Sequence, residues 1–94
     1  MKTLELNINL CDDMMSGKIR SEVRSKDLSV HASDCVQFVP VKRCKDGSVV
    51  PAIHPISNMP FTIERIIMGR GLADNAAMFI YRKLSSSEKR EYTK

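Results

Sequence analysis

Residues Thr3 to Leu10 alternate strictly, with Leu4, Leu6, Ile8 and Leu10 on one parity and Thr3, Glu5, Asn7 and Asn9 on the other. Successive side chains of a strand point to opposite faces, so this period of two specifies a β-strand with one buried face. A chain that starts this way needs partner strands, and the rest of the sequence supplies them in short lengths.

After the strand, Asn9 or Asp12 is placed to cap a short helix through Asp12–Ser16. Asp12 and Asp13 suit the positive end of its dipole, and Gly17 suits the left-handed residue that ends it. Ile19 to Arg24 is extended, with Ile19, Ser21 and Val23 on one side and Arg20, Glu22 and Arg24 on the other. Ser25-Lys26-Asp27 turns the chain. Cys35 to Val41 forms a longer strand that stops near Pro40, and Asp46-Gly47 is a hairpin turn into Ser48-Val49-Val50. The proline-rich stretch Pro51 to Pro60 is a loop, Phe61 to Met68 a strand and Gly69-Arg70-Gly71 a cationic turn. Leu72 to Asn75 is a helical turn before a last strand, Ala77 to Leu84.

The expected fold is mainly β (α+β): a small β-barrel of five to six strands with one or two short helices. Closure would remove the exposed edges of such short strands. Residues 1–84 form one domain and 85–94 a polar tail expected to be disordered.

Composition narrows the function classes. The apolar fraction of 43% supports one modest core, and no apolar run approaches the roughly 20 residues that span a bilayer. The N-terminus lacks the pattern of a signal peptide, so a cytoplasmic protein is expected. Cys11, Cys35 and Cys44 contain no CxxC pair, and His31 and His54 stand outside ligand spacing, so neither metal nor cofactor is expected. The cysteines are expected as small core hydrophobes in a reducing compartment, and both histidines as surface residues. A net charge of +4 favours anionic partners.

The densest chemistry lies in Ser16-Gly17-Lys18-Ile19-Arg20-Ser21-Glu22-Val23-Arg24, at the junction of helix and strand. Junction loops are exposed while the elements beside them are fixed, which is where scaffolds place function. With the order of elements, this stretch resembles the ASCH domains of the PUA-like superfamily, closest to the short ASCH-like proteins of bacteria and phages. There the helix ends in Ser-Gly-x-Lys-x-x-Glu-x-Arg, a Gly-Asp pair opens a later strand, and a Gly-Leu turn precedes the closing strand. Ser16-Gly17, Glu22 and Arg24 match the first motif, Ser33-Asp34 stands in place of Gly-Asp, and Gly71-Leu72 and Met78 to Leu84 match the end.

The resemblance implies a PUA-like barrel with a ligand site in the cleft between barrel and helix. One departure bears on activity. In the small ASCH enzymes that hydrolyse acetylated cytidine, the lysine two residues after the glycine and a hydroxyl residue three further on belong to the catalytic set. Those positions hold Ile19 and Glu22 here, with Lys18 one step earlier. That shifts the expectation from catalysis toward binding and leaves Lys18 and Glu22 as weak catalytic candidates.

Lys18, Arg20, Glu22 and Arg24 are the candidate ligand-binding residues, Arg24 because its guanidinium forks onto phosphate or carboxylate. The competing role for Glu22 and Arg24 is an ion pair that fixes the strand. Lys42, Arg43, Lys45, Arg65 and Arg70 form a candidate secondary basic surface that tracks phosphates. Phe38, Phe61 and Phe79 sit mid-strand as core, so stacking is not the expected mode of recognition.

A small nucleic-acid- or nucleotide-binding module, for RNA or a modified base, using a cationic cleft around Glu22 and Arg24, is therefore the first expectation. The alternatives are an ASCH-type amidohydrolase or ribonuclease, or a phage-type accessory protein that binds a host protein. The balance is against an enzyme, and the expected state is a monomer or weak homodimer.

Overall fold

The computed structural model describes residues 1–26, 29–69 and 71–84. The expectations for Arg70 and for the tail 85–94 lie outside the described residues. Strand β1 (Lys2–Asn7) runs into helix α1 (Ile8–Ser16), followed by β2 (Ser21–Ser25), β3 (Cys35–Arg43) and β4 (Val49–Pro51). A 3-10 turn at Pro55–Asn58 precedes β5 (Pro60–Ile67) and β6 (Ala76–Lys83).

The alternating pattern ends as strand sooner than its parity suggests. Asn7, not Asn9 or Asp12, is the cap: its side chain accepts from the Asn9 backbone N–H at 2.9 Å and starts the helix there. From that point the apolar residues follow helical spacing. Cys11 and Met14 are buried, Ile8 and Met15 pack against the core, and Leu10 turns outward. Leu10 satisfied the strand alternation only by coincidence of parity.

The sheet is mixed, in the order β1-β3-β5-β6-β2, with β4 added to β3. β1 and β3 are parallel, with Leu4 opposite Phe38 and Leu6 opposite Pro40, and the remaining pairs are antiparallel. Pro40 lies inside β3 rather than ending it. The Pro40 carbonyl accepts from Ala52 N–H at 2.9 Å, so its nitrogen faces away from β1, toward the gap where β5 pairing has ended at Gln37 and β4 pairing begins only at Val41.

Leu4, Leu6, Val36, Phe38, Phe61, Ile63, Ala77, Phe79 and Tyr81 fill the inner face. Phe38 meets Phe61 and Tyr81 edge-on, with ring centroids 5.1 Å and 5.0 Å apart. The core phenylalanines expected from sequence are confirmed, and Tyr81 joins them.

The hydrogen-bonded ladder does not close into a barrel. β1 and β2 are the two ends of the sheet and do not pair with each other. A side chain spans the seam instead: Arg24 on β2 donates from Nη2 to the carbonyl of Glu5 on β1.

His54 is not a surface residue. It caps the 3-10 turn by accepting the Ile56 N–H on Nδ1 at 3.1 Å, which leaves Nε2 to donate to Asp12 Oδ1 at 2.7 Å. That bond ties the proline-rich segment to α1 across 42 positions of sequence, a distance no local pattern can reveal.

Candidate functional site

Gly17 ends α1 in the left-handed conformation at φ 85°, and its N–H returns to the Met14 carbonyl. Ile19 N–H bonds to Asp13 O at 3.2 Å, and Tyr81 N–H to Arg20 O at 2.7 Å. These bonds fix the backbone of the junction at Gly17, Ile19 and Arg20. Lys18 is exposed, Ile19 packs partly against the core, and Arg20 sits above the end of β6.

Between α1 and the sheet lies a cleft of about 400 Å³. Met14, Ile19, Phe61 and Tyr81 give it an apolar floor, and Arg20, Arg82, Lys83 and Glu64 carry the charge around it. Ile19 lines this cleft, and Lys18 is absent from its lining. The position where the resembled motif has lysine thus faces the cleft and is apolar here.

Glu64 reaches the cleft because of a β-bulge. Ile63 pairs with Tyr81 and Arg65 with Ile80, which leaves Glu64 as the extra residue of β5. The sequence carries the sign: Phe61 and Ile63 share one parity, and the next core-packed residue is Ile66. A second cavity of about 320 Å³ lies beyond the same wall, lined by Ser33 and Thr62 and sharing Glu64 and Arg82 with the first. Arg82 and Lys83 are legible in the sequence only as the polar end of the last strand.

Glu22 and Arg24 occupy another part of the molecule. Their side chains are each 16% exposed and paired, Arg24 Nε donating to Glu22 Oε1. Tyr81 donates its hydroxyl to the same carboxylate oxygen at 2.9 Å. Burial, and then the charge of Glu22, pushes the Tyr81 phenol well above its ordinary pKa. The pair lines a groove of about 280 Å³ with Glu5, Leu10, Val49 and Arg43.

The four candidate ligand residues are therefore divided. Arg20 lies in the helix–sheet cleft, Glu22 and Arg24 in the seam groove, and Lys18 on the surface. The secondary basic residues are divided too. Lys42 and Arg43 end β3, Lys45 lies in the following turn, and Arg65 lies on β5 beyond the segment paired with the start of β3. Arg43 and Arg65 consequently stand toward opposite ends of the sheet.

No family model and no curated protein sequence matches this chain. No group of three or more His, Cys, Asp or Glu suited to a metal ion occurs among the described residues. No helix among them is long and apolar enough to cross a membrane.

Proposed function

We propose that this chain is an ASCH-like module of PUA-like ancestry that binds a nucleotide, free or within an RNA strand, in the cleft between α1 and the sheet. The observation that carries this reading is the cleft itself: a space of about 400 Å³ that joins Met14, Ile19 and Phe61 to the cations Arg20, Arg82 and Lys83. Ligand pockets of roughly 300–1,000 Å³ commonly join an apolar lining to a few convergent polar groups. Cations at the mouth suit phosphate, and the adjoining cavity behind Glu64 and Arg82 gives room for a second nucleotide.

The resemblance is supported by two further features. The Gly17 turn delivers its junction to the cleft. Ser33, standing where the motif has glycine, adopts φ 76°, a conformation glycine takes without strain. Ile19 in the cleft favours binding over a lysine-dependent hydrolysis.

Titration with 5′-mononucleotides and short single-stranded RNA at rising salt tests the reading. Affinity should fall steeply with salt and drop about tenfold in Arg20→Ala. Binding that ignores salt, or none at low salt, overturns it.

A further inference from the structure

Resting on the nucleotide reading above, we propose that the cleft selects guanine, through the Glu64 carboxylate. The bulge in β5 takes Glu64 out of the strand's alternation and places it on the wall shared by the two cavities. Among the described residues, no hydrogen bond or ion pair engages that carboxylate. It lines the same cleft as Met14, Ile19 and Phe61, the apolar residues against which a base would rest.

An ionised carboxylate only accepts hydrogen bonds, and its two oxygens suit two parallel donors. Guanine offers that pair on its Watson–Crick edge, N1–H beside the 2-amino group. Adenine and cytosine each place a ring acceptor next to their amino donor, so one carboxylate oxygen meets a lone pair. Uracil flanks its single N–H with two carbonyls, which repel both oxygens. With phosphate drawn by Arg20 and Lys83, which line the same cleft, Glu64 is the group left to read the base.

GMP, AMP, CMP, UMP and IMP, each titrated at low salt and followed by calorimetry and by amide shifts of Arg20 and Lys83, provide the test. GMP should bind about tenfold more tightly than AMP, CMP or UMP, the scale of a good bidentate contact. IMP, which lacks the 2-amino group, should fall between. Glu64→Gln should bring the ratio of GMP to AMP close to one without weakening AMP, because it also removes a charge that repels phosphate. Glu64→Asp keeps the charge one methylene short and should lose most of the preference.

Equal affinities for the four bases, a preference for another base, or a preference unchanged in Glu64→Gln overturns the guanine assignment and leaves nucleotide binding standing. If none of the nucleotides and no short RNA binds, the underlying reading fails as well. Glu64 is exposed, so its variants should fold, which an unfolding curve verifies.

Discussion

The hydroxyl of Tyr81 on β6 donates to Glu22 Oε1 on β2 at 2.9 Å, and that same oxygen receives Arg24 Nε. Tyr81 is 1% exposed, and the residue also lines the helix–sheet cleft. One side chain thus separates the two polar regions of the molecule. Its ring packs edge-on against Phe38 in the core, and its hydroxyl completes the network at the seam between β1 and β2.

Tyr81→Phe should keep the core filled and leave Glu22 short of a donor, at a cost of about 1–2 kcal/mol in urea unfolding. The phenol's pKa is raised in the folded protein, so its contribution is complete below the ordinary value of about 10 and is lost as pH rises beyond it. Wild-type stability should therefore fall above about pH 10, with part of the tyrosinate absorbance appearing only on unfolding. In Tyr81→Phe that alkaline slope should flatten. A Tyr81 phenol that titrates normally in the folded protein contradicts the network.

Arg24→Ala removes the contact that spans the seam and leaves Glu22 without its cation. The loss should be about 2–3 kcal/mol, below that of a fully buried pair because both groups retain some exposure. Amide exchange should accelerate in β1 and β2 ahead of β3 and β5. Nucleotide affinity should change far less than in Arg20→Ala. A reversal of that order would move the ligand site to the seam.

Ser33→Gly should stabilise the protein by up to about 1 kcal/mol. A non-glycine residue at φ 76° is strained, and glycine's greater freedom in the unfolded chain returns part of the gain. Unfolding midpoints of the two proteins provide the comparison. A destabilised Ser33→Gly would show that the serine side chain holds the turn.

Ile19→Lys places an amine where the resembled motif has one. It should cost about 1–2 kcal/mol, because Ile19 packs partly against the core. It should also strengthen mononucleotide binding several-fold at low salt, since the position lines the cleft. Unchanged affinity would mean that the amine reaches solvent without meeting the phosphate.

The amino-acid sequence alone determined the local elements. Period two in Leu4 and Leu6, the left-handed stop at Gly17, the Asp46-Gly47 turn and the apolar runs of β5 and β6 arise from contacts between near neighbours in the chain. The side on which Glu22 and Arg24 lie is also local, because strand parity sets it. What those side chains meet is decided by residues far away: Glu5 for Arg24, Tyr81 for Glu22, Asp12 for His54. Only the folded sheet brings these together, since the partners belong to strands and loops whose adjacency depends on the strand order. Tertiary structure likewise divided the junction's charges, sending Arg20 to the cleft and Glu22 with Arg24 to the seam. It also turned a one-residue bulge at Glu64 into the cleft's one carboxylate among the described residues.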